Sequence, residues 1–416
     1  TVESFVVGTE ELRGAAGDFH PGGAVAAASV MYLLLAVVLG MVQRFLRPPL
    51  WLATAVFVPA TFGVAWLGTR ISTLLLLDRT AWGLLVLAYC AVASVIPVRA
   101  LLQPRGYLGG FVLYAVLLLG VAGVFLGGYE VQQPAFRTWD AGGATGTLFP
   151  FLFVTIACGA CSGFHGLVCS GTTSKQVDRE SHVRPLGYGA MLAEGFVALI
   201  ALVTAMIASP EELGSLAPGT VYGRGIGRFL ALFVGEDRLA FAVTFGAMAF
   251  STFVFDTLDV CTRLGRYIVQ ELFGWTGRRG AVGGTLLTIG VPVYLVVMAG
   301  EGMWPKFWIL FGASNQLLAA LTLLSVTAWL HRSGKRLWPT ALPTLFVLVV
   351  TLWALLVLAW SNLRAAAGFD VSLVNGLAAA ALVVLALYVA LSAVRALAGG
   401  RATQANTRTG SEGPEG

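Results

Sequence analysis

The chain is predicted to be an all-α protein that crosses a membrane many times, and two observations predict this fold class. First, 57% of its 416 residues are hydrophobic and only 11% are charged, whereas soluble globular proteins carry about 25% charged residues. Second, the apolar residues fall into long runs, and a helix that spans a bilayer needs about 20 of them. A water-soluble domain cannot bury so much apolar surface.

Eleven apolar runs have about the length of a membrane span. They are residues 24–42, 50–68, 81–98, 107–128, 149–171, 186–208, 239–273, 281–300, 307–330, 342–360 and 371–397. The seventh is too long for one ordinary crossing, so it should tilt or continue beyond the membrane. Residues 1–398 are therefore predicted to form one transmembrane domain. Residues 399–416 are rich in Gly, Thr and Arg, and they are predicted to be a disordered cytoplasmic tail.

The distribution of positive charge predicts the orientation. About two thirds of the lysines and arginines lie after the odd-numbered spans or at the C-terminal end. The C-terminus is therefore predicted to be cytoplasmic and residue 1 to lie outside. The first 23 residues resemble neither a signal peptide nor a transit peptide. A chain that starts outside in this way is expected to lack membrane spans that precede it, and so to be N-terminally incomplete.

Residues 149–176 have an unusual composition for a membrane span. They read FPFLFVTIACGACSGFHGLVCSGTTSKQ, with four glycines inside the apolar stretch. Glycines and hydroxyl groups at membrane depth are tolerated where a helix is interrupted and lines a cavity. This segment is therefore predicted to be a discontinuous helix on a substrate path. The predicted substrate-binding residues are Gly159, Ser162, Gly163, His165, Ser170, Thr172 and, from a later span, Asn315.

Ionisable residues within membrane spans are costly and are candidates for function. Glu194 lies near the middle of the sixth span, where it either links neighbouring helices or carries a proton. In the seventh span, Asp256 and Asp259 are three residues apart, and Arg263 follows Asp259 by four, so all can share one helix face. These residues either form a buried acid–base pair that fixes helix packing, or they form an oxygen-rich cation or proton site in which Asp256 is the freer carboxylate and Arg263 neutralises Asp259. Glu194, Asp256 and Asp259 are the predicted sites of ion or proton coupling.

Other polar residues have simpler interpretations. Asn315 and its neighbour Gln316 lie in an apolar stretch of the ninth span. Amides in such positions usually join helices by hydrogen bonds and less often contact a substrate. Arg105 is assigned to a cytoplasmic loop as a determinant of topology. Cys158 and Cys161 form a CxxC inside a predicted span and are interpreted as small packing residues.

Two enzyme classes are rejected. The spacing of Gly166 and Gly171 resembles a phosphate-binding loop, but Thr172 stands where the lysine is required. Ser162 and His165 could touch, yet no third orienting group and no G-x-S-x-G frame accompanies them. The net charge of +5 is spread over short loops rather than over a basic run with aromatics. We therefore predict no enzyme, no metal, no cofactor and no nucleic-acid partner.

Four segments resemble the carbon starvation protein (CstA) family of bacterial inner-membrane transporters. They are the 149–176 segment already quoted, LGYGAMLAEGFVALIAL, FSTFVFDTLDVCTRLGRYIVQEL and LFGASNQLLAALTLL. The matches are long and nearly contiguous, covering about residues 106–330. The family usually begins with a further segment that holds a glycine-rich interrupted helix, and this chain contains no such segment.

The resemblance implies a LeuT-like core of inverted repeats, of the amino-acid/polyamine transporter type. It also implies secondary active uptake of short peptides or pyruvate during carbon starvation, driven by H+ or Na+, in an inner membrane whose lipid surrounds the protein. The alternative is a ligand-gated channel or a nutrient sensor that does not pump.

Overall fold

The computed structural model describes residues 2–6, 19–97, 101–140, 142, 146–298, 304–366, 368 and 370–409. These residues are helical or irregular, apart from one isolated β-bridge between Asp140 and Thr147. The α-helices are α1 Val2–Val6, α2 Pro21–Phe45, α3 Leu50–Arg70, α4 Arg79–Val95, α5 Leu102–Leu126, α6 Phe153–Ala160, α7 Gly163–Gly171, α8 Ala190–Met206, α9 Pro210–Ser215, α10 Pro218–Val234, α11 Leu239–Leu272, α12 Gly277–Met298, α13 Trp304–Arg332, α14 Trp338–Ala365 and α15 Val371–Thr409.

Ten helical segments of the described chain are long and apolar enough to cross a membrane, which confirms an all-α, multi-pass membrane protein. The remaining predicted span, 81–98, forms the shorter apolar helix α4 of 17 residues. At 1.5 Å per residue α4 is about 25 Å long, somewhat less than the bilayer core of about 30 Å. Large apolar side chains such as Leu118 and Phe125 point outward, as lipid-facing residues do.

Two compact units make up the chain. The first unit comprises Thr1–Ala135 and Arg179–Ala299, and the second comprises Phe136–Asp178 and Gly300–Gly416. The core of the first unit is a cluster of fully buried side chains: Tyr32, Leu39, Leu108, Val112, Phe229, Phe245 and Met248. The core of the second unit joins α6 and the segment before it to α13, α14 and α15 through Phe151, Val154, Leu317, Leu355 and Val383.

The segment 149–176 contains an interruption between two short helices. Helix α6 ends at Ala160 and α7 begins at Gly163, so that each helix has only eight or nine residues. Between them, Cys161 and Ser162 leave the helical conformation, with φ/ψ of −139°/76° and −89°/122°.

Helix α10 is absent from the eleven predicted spans. Its sequence, PGTVYGRGIGRFLALFV, holds four glycines and two arginines, which lower its hydropathy below that of a membrane span. Even so, the glycine-bearing side of α10 is buried against α11. Close packing between helices, rather than hydropathy, determines where this helix lies.

The last helix, α15, continues through Thr409, whereas the sequence predicts a disordered tail from residue 399. Disorder of residues 399–416 stays a prediction, and residues 410–416 lie outside the described part of the chain.

Candidate functional site

The interruption between α6 and α7 is held by two neighbouring amides from α13. The Asn315 side-chain oxygen accepts a hydrogen bond from the backbone N–H of Phe164 at 2.7 Å. The Asn315 Nδ2 group donates to the Ser162 hydroxyl at 3.1 Å and to the Cys158 carbonyl at 3.3 Å. Gln316 Nε2 donates to the Cys161 carbonyl at 3.0 Å. The two amides therefore satisfy backbone groups that the end of α6 and the start of α7 leave without helical partners.

Close backbone packing accompanies these hydrogen bonds. A Cβ atom on Gly163 would lie 2.3 Å from the Leu318 Cβ and 2.4 Å from the Asn315 carbonyl oxygen. Real Cβ atoms do not approach other atoms so closely, so α7 can contact α13 here only through a glycine. A Cβ on Gly159, by contrast, would meet open space. The site on α13 is buried, since Asn315 is 4% exposed and Gln316 is fully buried.

The structure brings together three of the predicted substrate-binding residues: Ser162, Gly163 and Asn315. Gly159 precedes them within one helical turn. His165 lies on the exposed side of α7, with its ring 5.9 Å from that of Phe164.

Ser170 and Thr172 lie at the far end of α7, about 12 Å or more along its axis from Ser162. The Ser170 hydroxyl donates to the Leu167 carbonyl of its own helix. Substrate contact by any of these residues stays a prediction.

The first unit contains a buried cluster of charged and phenolic side chains centred on Arg105. Arg105 Nε donates to Asp256 Oδ1 at 2.7 Å, and Nη2 contacts the same oxygen. Arg105 Nη1 lies 2.6 Å from Asp259 Oδ2 and also donates to the Tyr89 hydroxyl. Tyr89 in turn donates to Asp259 Oδ2 at 2.8 Å, and Tyr32 donates to the Arg105 carbonyl at 2.9 Å. One cation is thus shared between two carboxylates.

This arrangement corrects two predictions. Arg105 is not a loop residue: it lies in the first turn of α5 and is fully buried. Arg263 does not form the hydrogen-bonded pair with Asp259, because its Nη2 donates to the carbonyls of Ala93 and Ile96 at 2.6 and 2.7 Å. Arg263 therefore stabilises the carboxyl end of α4. Sequence spacing suggested a partner on the same helix, but the partner of Asp259 comes from another helix, 154 positions earlier in the chain.

The two carboxylates differ in exposure. The Asp256 side chain is 31% exposed and that of Asp259 is 3% exposed. Asp259 Oδ1 is buried and has no hydrogen-bond partner within the part of the chain that the structure describes. Glu194 lies on α8, in an exposed stretch of that helix, and not in the buried surroundings of Asp259. Asp256 is consequently the more exposed carboxylate of the Arg105 cluster.

A sequence model described as Carbon starvation protein CstA matches residues 15–224 and 213–354 of the chain. The chain is 31% identical to the Peptide transporter CstA of Campylobacter jejuni and 30% identical to that of Mycobacterium tuberculosis, with 78% of the chain covered in each case. It is 30% identical to the Pyruvate/proton symporter BtsT of Escherichia coli over 65% of its length.

The aligned regions cover 56%, 53% and 49% of those three relatives, so the chain spans about half their length. These relatives are named as transporters, in agreement with the prediction that the chain is not an enzyme. No solved structure matches the chain.

Proposed function

The chain belongs to the carbon starvation protein CstA family, and from that premise we propose that it is a secondary active transporter that takes up short peptides or pyruvate together with protons. The names of its relatives support both substrates, since two are peptide transporters and one is a pyruvate/proton symporter. Pyruvate and peptides share a carboxylate group at physiological pH. A transporter of either substrate therefore requires a binding site for a carboxylate.

The observation that carries the proposal is the hydrogen bond between the Asn315 oxygen and the Phe164 N–H. This N–H belongs to the first turn of α7, where unpaired N–H groups and the helix dipole favour negative charge. The Asn315 oxygen occupies the position that a carboxylate oxygen would take. We infer that the substrate carboxylate replaces it, with Ser162 as a second donor.

The interruption is, in this proposal, the centre of a discontinuous membrane helix in a LeuT-like core. Transporters of that architecture bind substrates where a helix is broken, because the freed backbone groups then face a cavity instead of lipid. Helices α6 and α7, with eight and nine residues, are each too short to cross a bilayer alone. The proposed location is an inner membrane, with the C-terminal end of the chain in the cytoplasm.

Asp256 is the proposed proton carrier, and H+ the proposed coupling ion. Its carboxylate is more exposed than that of Asp259, and it shares the single Arg105 cation. The two carboxylates contact the same guanidinium, so protonation of Asp256 would leave Asp259 as the ionised partner of Arg105. Glu194 remains the second candidate for the proton, in an exposed position on α8.

Uptake into vesicles tests the proposal. The full chain is reconstituted, a pH gradient is imposed, and the accumulation of labelled pyruvate and of a labelled dipeptide is followed. Accumulation above the equilibrium level, abolished by a protonophore, is the expected result. Entry that never exceeds equilibrium would instead indicate a channel.

Ser162→Ala is the informative variant for the binding site, since it removes the hydroxyl that would donate to the substrate carboxylate. It should raise the substrate concentration needed for half-maximal uptake by about tenfold or more, in line with the loss of one charge-assisted hydrogen bond. Ser314→Ala is the matched control, because the Ser314 hydroxyl donates to the Leu310 carbonyl of its own helix. Equal uptake by Ser162→Ala and the control would contradict the assignment.

A further inference from the structure

Arg266, near the carboxyl end of α11, is a buried cation without a counter-charge. The residue is 7% exposed, and its Nε atom is buried without a hydrogen-bond partner. Among the residues that the structure describes, no carboxylate or carbonyl accepts a hydrogen bond from its guanidinium, which instead lies over the ring of Tyr267. A buried charge without a partner is strongly unfavourable, so an anion at this position would stabilise the chain.

Two other buried arginines of the first unit do have partners. Arg105 contacts two carboxylates. Arg263, three residues before Arg266 on α11, donates to two carbonyls at the carboxyl end of α4. Glu271, five residues after Arg266, is exposed and forms no ion pair with it. The lack of a partner therefore distinguishes Arg266 from the arginines that the fold itself neutralises.

The stem of the Arg266 side chain is held between α11 and α12. A Cβ atom on Gly284 of α12 would lie 3.1 Å from the Arg266 carbonyl oxygen and 3.3 Å from its Cγ atom. The guanidinium carbon lies 4.5 Å from the centroid of the Tyr267 ring, and Tyr267 is 39% exposed. The stem is thus packed between two helices, while the guanidinium lies beside a ring at the surface of the unit.

This surface lies close to one edge of the membrane-spanning region. The apolar part of α12 begins three residues, or about 5 Å, before Gly284. Arg278 and Arg279 come just before it and are exposed, and the rings of Phe273 and Trp275 stack at 5.1 Å in the connection from α11. Basic and aromatic residues together are typical of the headgroup layer, which a long arginine side chain can reach from a few ångströms inside.

We propose that Arg266 binds the phosphate group of an anionic membrane lipid. A guanidinium presents a planar fork of donors that fits two phosphate oxygens, and the phosphate supplies the missing counter-charge. The exposed Arg278 and Arg279 nearby favour a headgroup with net negative charge. A lipid fits better than a soluble anion because the site lies at the edge of the bilayer. The proposal uses neither the α6–α7 interruption nor Asp256, so it does not depend on the transport function.

A lipid titration tests this site. Short-chain phosphatidylglycerol is added to the purified full chain in a neutral detergent, and native mass spectrometry counts the bound copies. Wild type is expected to retain one copy at concentrations at which phosphatidylcholine, whose choline cation cancels the phosphate charge, is lost. Arg266→Gln should weaken this binding by about tenfold or more. Arg44→Gln is the matched control, since Arg44 also lies over the next ring in sequence, Phe45, but is exposed.

The melting temperature provides a second readout. Without lipid, Arg266→Gln removes an uncompensated buried charge, so the variant should melt at or above the temperature of wild type. Phosphatidylglycerol should raise the melting temperature of wild type and of Arg44→Gln, and that of Arg266→Gln much less. If Arg266 served only in packing, the variant would melt lower by the same amount with and without the lipid, and that result would overturn the proposal.

Two further outcomes are decided on wild type alone, whether or not the variant folds. Equal retention of phosphatidylglycerol and phosphatidylcholine would show that no anionic headgroup is selected, which overturns the proposal. Displacement of phosphatidylglycerol by equimolar inorganic phosphate or pyruvate would identify a soluble anion as the occupant and overturn the assignment to a lipid. Lipid binding that depends on Arg266 in a chain that transports nothing would support this site and overturn only the transport proposal.

Discussion

Arg105 and Asp256 are 151 positions apart in the chain, yet the Nε atom of Arg105 donates to the carboxylate of Asp256 at 2.7 Å inside the first unit. The same guanidinium contacts Asp259 through Nη1. This shared cation links α5 to α11 and joins the buried acid Asp259 to the more exposed acid Asp256. The roles that we predict for this cluster, in stability and in coupling, can be separated by substitution.

The first prediction concerns Asp256 as the proton carrier. Asp256→Asn keeps a hydrogen-bond acceptor for Arg105 but cannot gain a proton. Accumulation of pyruvate driven by a pH gradient should fall to the equilibrium level, while exchange of labelled for unlabelled pyruvate continues. Vesicle uptake and counterflow measure the two activities. Asp237→Asn, at an exposed residue before α11, is the control. Gradient-driven accumulation by Asp256→Asn would refute the assignment.

The second prediction concerns the stability of the Arg105 cluster. Arg105→Leu leaves two carboxylates in the unit without their counter-charge, which should cost about 3–5 kcal/mol of unfolding free energy. Adding Asp259→Leu removes the buried carboxylate and should restore part of this loss. Unfolding in a denaturing detergent, followed by tryptophan fluorescence, measures the difference. An Arg105→Leu chain as stable as wild type would show that the cluster is not structural.

The third prediction compares two glycines at the interruption. Gly163→Ala forces a Cβ into Leu318 and the α13 backbone, so it should destabilise the second unit by about 1–3 kcal/mol. Gly159→Ala adds the same atom where a Cβ meets open space and should be nearly neutral or slightly stabilising. Thermal melting of the two variants in the same detergent provides the comparison. Equal melting temperatures would disprove the close approach of α7 and α13.

The fourth prediction is a pH dependence at Glu212, which lies in α9 outside the membrane-spanning helices. Partial burial opposes ionisation of Glu212, but the Ser209 N–H together with Arg228 and Arg224 outweighs it and holds the pKa of the carboxyl below its usual value. Such a group stabilises the folded chain above the pKa of the unfolded state. That stabilisation is lost as the pH falls through the lower pKa of the folded state.

The measurement compares wild type with Glu212→Gln. The melting temperature of the variant should be lower at pH 7, and the gap should close at pH values below the ordinary carboxyl pKa. Glu236→Gln, at an exposed residue, controls for the loss of one surface charge. A gap that stays constant from pH 7 to pH 3 would mean that ionisation of Glu212 contributes nothing.

The amino-acid sequence by itself determined the fold class and most of the spans. Within a bilayer, a run of about 20 apolar residues can satisfy its own backbone hydrogen bonds only as a helix. This constraint depends on the local sequence alone. The same local reasoning marked the glycines and hydroxyls of 149–176 as incompatible with an ordinary helix. Ser162, Gly163 and Asn315, which it selected, do lie together in the second unit.

Only the tertiary structure decided which polar groups pair. Arg263 follows Asp259 at helical spacing. A buried carboxylate is nevertheless stabilised by the cation that the packing brings closest to it, and here that cation is Arg105. Helix α10 was not predicted as a span for a related reason. Its two arginines and four glycines lower its hydropathy, yet the glycines permit the close contact with α11. Hydropathy is a sum over residues that are neighbours in the sequence, whereas ion pairs and helix contacts depend on distances between residues that are far apart in the sequence.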